Sequence, residues 1–169
     1  VRKVALAIKG DNIMTITYES YLKKSAKEYN ELPIFWAFSN KQLEEQMGKR
    51  GLKLADTDKI CRVSNGGFCL KSDLQKIKDF FNKPDPLRDL MKDPNFAVSA
   101  FYYEMQNHEY HINWQADWDV CNCFGKCEYS DAKDYTDYLK EMGYSSEIIK
   151  SYTKARRKFL KDADANDWY

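Results

Sequence analysis

Lys59-Ile60-Cys61-Arg62-Val63-Ser64-Asn65-Gly66-Gly67-Phe68-Cys69-Leu70 is the stretch that separates this chain from an all-helical protein. Residues 59–64 alternate between apolar and polar side chains, the period of a half-buried strand. Asn65-Gly66-Gly67 is a hairpin signal, because the turn positions favour backbone with φ > 0. Phe68-Cys69-Leu70 is then the returning strand. Upstream, Ile34-Phe35-Trp36-Ala37-Phe38 is a short, aromatic, nearly continuous apolar run, which reads as a buried strand. Tyr110–Trp114 reads as a further strand. Val4, Leu6 and Ile8 alternate with Ala5 and Ala7, the pattern of a leading strand.

Helical periodicity fills most of the rest. Tyr18, Tyr21, Leu22, Tyr29 and Leu32 share one helical face, and Pro33 ends the pattern. Ser39 or Asn40 caps a helix over 41–49 that Gly51 terminates. Ser72 or Asp73 opens another through Leu74, Ile77, Phe80 and Phe81, broken by Pro84 and Pro86. A short helix over 87–91 precedes one started by Asp93-Pro94 that carries Phe96, Ala97, Ala100, Phe101 and Met105. Residues 114–123 are ambiguous. Residues 131–142 are helical up to Gly143, and Ser145 or Ser146 caps a last helix with Ile148, Ile149, Tyr152, Phe159 and Leu160 as its apolar face. The expected class is α+β: a small antiparallel sheet of about 3–5 strands packed with about 5–7 helices.

The chain has 169 residues, which fits one domain with a core large enough to fold without disulfides. The expected organisation is an N-terminal extension or leading strand over 1–13, one α+β domain over 14–161, and a polar tail over 162–169. Met14 reads as a natural start, with Val1–Ile13 upstream of it. Lys and Arg number 27 against 26 Asp and Glu, which disfavours both a uniformly basic nucleic-acid binder and an acidic DNA mimic. No run approaches the ~18 apolar residues of a membrane span. Five cysteines, an odd count, without a secretory signal point to reduced thiols in a bacterial-type cytoplasm.

Two groups of residues carry the candidate chemistry. His108 and His111, followed by Cys121, Cys123 and Cys127, bring the ligand types of zinc within twenty residues. Apart from Cys123-Phe124-Gly125-Lys126-Cys127, their spacing matches neither a zinc knuckle nor the HExxH of zinc proteases. The competing reading is of buried free thiols beside two polar histidines. The second group is aromatic. Tyr102, Tyr103, Tyr110, Trp114, Trp118 and Phe124 crowd one part of the chain, and such residues anchor protein interfaces, stack single-stranded nucleic acid or fill a tyrosine-rich core. Trp114 and Trp118 share a face if their segment is helical. The basic run from Lys150 to Lys161 reads as a solvated helix face, since Asp162, Asp164 and Asp167 follow it. No nucleophile, base and oxyanion donors appear together, so an enzyme is not expected.

Several segments, taken in order, resemble an uncharacterised family of small proteins from phages and mobile elements of gut and other Gram-positive-type bacteria. They are Glu28–Asn40, Gly66-Gly67-Phe68 with Lys71-Ser72-Asp73, Asn107-His108-Glu109-Tyr110, and Ile112-Asn113-Trp114-Gln115 with Asp117-Trp118 and Cys123-Phe124-Gly125. The resemblance runs from about Met14 to Leu160 and supports Met14 as the usual start. It brings no catalytic residues. The three-cysteine cluster is not a pattern of that family, which weakens the metal reading. Such an origin, together with the missing catalytic chemistry, implies a non-enzymatic counter-defence protein in the cytoplasm of a bacterial host. Its sharpest form is an anti-CRISPR protein that binds and inhibits a guide-RNA nuclease. The expected partner is then a host protein, with no membrane, no direct nucleic-acid contact and no cofactor. The alternative is a small zinc domain contacting nucleic acid, its metal held by residues from the His108, His111, Cys121, Cys123 and Cys127 group.

Overall fold

A computed structural model describes residues 16–113, 115–126 and 133–168. The leading strand expected at Val4–Ile8 lies outside these residues, as does Met14. The described elements run α1 (Tyr18–Asn30), β1 (Phe35–Trp36), α2 (Asn40–Gly48), β2 (Ile60–Ser64), β3 (Gly67–Leu70), α3 (Leu74–Asn82), α4 (Leu87–Leu90), α5 (Pro94–Asn107), α6 (Ala116–Asn122), α7 (Tyr135–Glu141) and α8 (Ser146–Ala165). The fold is α+β, with one small antiparallel sheet and eight α-helices among the described residues. The chain gathers into two compact units. Among the described residues, one unit holds Lys23–Asp85; the other holds residues 16–22 and those from Pro86 onward.

The first unit contains the sheet, in the order β1-β3-β2. Asn65 and Gly66 make the expected turn, with Gly66 at φ 79°. Phe35 lies opposite Phe68, and their rings stack at 5.9 Å. Phe35, Met47 and Ile60 form this unit's buried cluster, with Leu43, Leu52, Phe68 and Leu70 packed around them. β1 is not buried on both sides, as the apolar run implied. Phe35 and Ala37 point inward, whereas Trp36 and Phe38 stand out at 42% and 75% exposure. A strand with one covered face buries only every second side chain.

The second unit is helical. α5 buries Phe96, Ala97, Ala100, Phe101, Glu104 and Met105, a stripe two residues wide at helical spacing. α8 answers with Ile148, Tyr152, Ala155, Phe159 and Ala163. Asp93 caps α5 by accepting from the amides of Asn95 and Phe96, and Ser145 caps α8 by accepting from Ile148. α8 continues through Ala165, so the expected polar tail from Asp162 begins four residues later; fully buried Ala163 holds that last turn against the core. The strand expected at Tyr110–Trp114 is corrected too: Tyr110–Ile112 is a turn. Glu109, at φ 48°, ends α5 and sends the chain back before a strand can start.

Phe101 sits at the centre of this unit, edge-to-face with Phe124 at 5.0 Å and Tyr152 at 4.9 Å. Phe101→Ala is expected to lose about 3–5 kcal/mol of stability in urea unfolding followed by circular dichroism. A loss below about 1 kcal/mol would contradict this packing.

Candidate metal centre

Glu104 is the charged residue on the buried stripe of α5, at 5% exposure. His108 follows four residues later as the C-cap of the same helix, so both side chains occupy one helical face. α6 then returns the chain and ends at its own C-cap, Cys123. The three side chains converge. His108 Nε2 lies 3.3 Å from Cys123 Sγ and 3.8 Å from Glu104 Oε2. One ligand atom from each lies within 4.8 Å of the others.

The surroundings orient the carboxylate. The Tyr18 hydroxyl donates to Glu104 Oε1 at 2.7 Å, and Asn107 Nδ2 donates to Oε2 at 3.1 Å. Burial and the neighbouring Glu104 push the Tyr18 phenol up, so it remains a donor. Burial, then the negative charges of Glu104 and Asp119, push the Cys123 thiol up to about 12. Its S–H donates to the Asp119 carbonyl at 3.4 Å.

A cysteine, a histidine and a carboxylate also make up a hydrolytic triad, but the geometry here differs. In a triad the imidazole meets the nucleophile through one ring nitrogen and the carboxylate through the other. Here Nε2 faces both. A protonated thiol beside a buried carboxylate is also a poor nucleophile. The same arrangement suits chelation. Zinc bonds of ~2.0–2.3 Å at tetrahedral angles put neighbouring ligand atoms ~3.3–3.6 Å apart. The observed N–S separation of 3.3 Å and N–O separation of 3.8 Å each lie within about 0.5 Å of those values.

Of the ligands expected from the sequence, His108 and Cys123 come together. Cys121 does not join them: it is fully buried in the core, because residues two apart near a helix end point in different directions. His111 lies beyond the end of α5 and packs near the rings of Phe159 and Trp168 at 6.0 and 6.5 Å. Cys127 lies outside the described residues. Glu104, missed in the sequence, completes the set. The signal was a lone acid on an otherwise apolar stripe, four residues before a histidine.

The described members of the expected aromatic group are buried or half-buried. Tyr110 and Phe124 are buried in the helical core. Trp118 is half-buried, edge-to-face with Tyr138 at 5.3 Å. Tyr102 and Tyr103 are half-buried and line a cleft of about 450 Å³ with Tyr18, Ser99, Gln106 and Lys158. Trp114 lies outside the described residues. Exposed aromatics among the described residues include Tyr29, Trp36, Phe38, Phe81 and Trp168; of these, Trp36 and Phe38 of the sheet unit lie with their rings near-parallel at 6.3 Å. Gly66 and Gly67 leave room for them: a Cβ on Gly66 would lie 2.5 Å from Phe38, and one on Gly67 would lie 3.3 Å from Trp36.

A family model described as a family of unknown function, DUF7659, matches residues 17–163. The chain belongs to the DUF7659 family. No curated protein and no solved structure matches it. The DUF7659 match spans Tyr18, Glu104, His108 and Cys123, and also the hairpin of the sheet unit. No described helix is long and apolar enough to cross a membrane.

Removing the charge of Glu104 removes one cause of the raised Cys123 pKa. With metal chelated, Glu104→Gln is therefore expected to speed alkylation of Cys123 at pH 8 several-fold, read by peptide mass spectrometry. An unchanged or slower rate would contradict the electrostatic coupling.

Proposed function

We propose that this protein is a zinc-binding domain whose metal is held in the helical unit by Glu104, His108 and Cys123. The observation that carries the reading is the convergence of carboxylate, imidazole and thiol on one point, with His108 Nε2 facing both partners. The donor set of oxygen, nitrogen and sulfur is one that zinc accepts. A bound dication would also reverse the electrostatics at Cys123, favouring the thiolate that burial and Glu104 now oppose. Three protein donors leave a fourth position for water or for a donor from elsewhere. Zinc in such a site polarises its ligand and acidifies a bound water.

The test is equilibrium dialysis against micromolar zinc followed by elemental analysis. One zinc per chain is expected, with at least a tenfold loss of affinity in Cys123→Ser and His108→Ala, both checked for retained helicity. Zinc at about a hundred times its dissociation constant should stabilise the fold by about 2.7 kcal/mol. A wild-type chain that retains no zinc would contradict the reading.

We propose a second reading for the sheet unit: it binds a host protein, most sharply a guide-RNA nuclease that it inhibits in the bacterial cytoplasm. The exposed, near-parallel Trp36 and Phe38 rings support it, because large aromatics held in place by a turn are common interface anchors. Inhibition titrated against a panel of such nucleases is expected to be stoichiometric for one of them. Trp36→Ala should weaken it by at least tenfold. Equal inhibition by wild type and Trp36→Ala, or none by either, would count against this reading.

A further inference from the structure

The hairpin of the sheet unit holds a second thiol site, separate from the Glu104, His108 and Cys123 set. Its register places Cys61 directly opposite Cys69 on adjacent antiparallel strands. Directly opposed residues on such strands have Cα atoms ~4.5–5.5 Å apart. A disulfide spans ~4.4–6.8 Å, so the backbone needs no rearrangement to join them. Opposed residues also point to the same face of the sheet, which brings the two thiols together. The pairing is regular from Ile60 with Leu70 through Arg62 with Phe68, and the irregularity falls beyond it, between Arg62 and Ser64. Both cysteines are free thiols.

The two differ in access. Cys61 is half-buried, whereas Cys69 is fully buried. Burial, and contact with Cys61, push the Cys69 thiol above its ordinary range, which marks it as a partner rather than a first point of attack. Disulfides in reducing compartments, where they occur, are commonly transient and redox-sensing. A more accessible thiol poised beside a resolving thiol is an arrangement that such chemistry commonly uses.

We propose that Cys61 and Cys69 form a reversible dithiol–disulfide site oxidised by peroxide. In the first step the Cys61 thiol loses its proton and its sulfur attacks one peroxide oxygen. The O–O bond breaks, Cys61 becomes a sulfenic acid, and the released hydroxide takes the proton to leave as water. In the second step Cys69 Sγ attacks the Cys61 sulfur and the S–O bond breaks. Hydroxide leaves with the Cys69 proton as a second water. Two electrons pass from the two thiols to one peroxide, giving one disulfide and two waters. A dithiol reductant reverses the change. The crosslink would fasten β2 to β3, the strand on which β1 and Trp36 are paired.

The experiment treats the full chain with hydrogen peroxide, quenches it by alkylation, and maps the peptides by mass spectrometry. The expected result is a Cys61–Cys69 crosslinked peptide with loss of both alkylatable thiols, restored by dithiothreitol. Cys69→Ser should stop at a Cys61 sulfenic acid that dimedone traps. Cys61→Ser should slow oxidation of Cys69 at least tenfold. Circular dichroism checks the fold of both variants. The wild-type result stands without them: if Cys61 and Cys69 remain alkylatable after peroxide has oxidised the other cysteines, the proposal is overturned. A crosslink from either residue predominantly to Cys121, Cys123 or Cys127 overturns it as well.

Discussion

A carboxylate inside a packed helical core needs compensation, and the buried stripe of α5 carries one in Glu104. Leaving such a group ionised without partners costs several kcal/mol. The helical unit contains an instructive comparison in Asp117. Its Oδ1 accepts from the hydroxyls of Tyr110 at 2.5 Å and Tyr152 at 2.7 Å, and Arg156 Nε donates to the Tyr110 oxygen at 2.7 Å. That network joins α6 to α8 and to the turn after α5, with a guanidinium close behind it. Glu104 receives hydrogen bonds from Tyr18 and Asn107, both neutral donors. Its neighbours toward α6 are an imidazole and a thiol, two groups that donate electron pairs to metals. A dication there would compensate the carboxylate and unite the three side chains, which is the physical basis of the zinc reading.

Much of the fold was legible because it follows from periodicity and end signals. The α8 face of Ile148, Tyr152 and Phe159, the Asp93-Pro94 start of α5 and the Asn65-Gly66 turn all appear as their residue types dictate. The misreadings have local causes. Tyr110–Trp114 looked like a strand because its aromatic residues favour extended chain, but the conformation of Glu109 precedes and redirects it. Asp162 looked like the start of a tail because charge dominates there, but buried Ala163 and the hydrogen bond from the Tyr102 hydroxyl to Asp162 keep the last turn packed. Trp36 and Phe38 looked buried because apolar runs usually are, and nothing in the run itself tells which face of a small sheet lacks a cover.

The site was half legible. His108 and Cys123 were named from residue type, but proximity in sequence favoured Cys121, which the turn of the helix carries into the core. Glu104 was hidden because an acid on a helix is ordinarily a solvated residue. Only knowledge of which face is buried makes it exceptional. The Cys61 and Cys69 pair was legible only in outline: the hairpin was clear, but a shift of one residue in register would have separated the thiols.

Cobalt(II) in place of zinc tests the central claim most directly, because its visible spectrum reports both geometry and ligand type. Addition of one equivalent to the reduced, metal-free protein should give intense tetrahedral d–d bands and a thiolate-to-cobalt charge-transfer band, with the latter lost in Cys123→Ser. A spectrum like that of aqueous cobalt(II), or a thiolate band that persists in Cys123→Ser, would contradict a metal centre built on Glu104, His108 and Cys123.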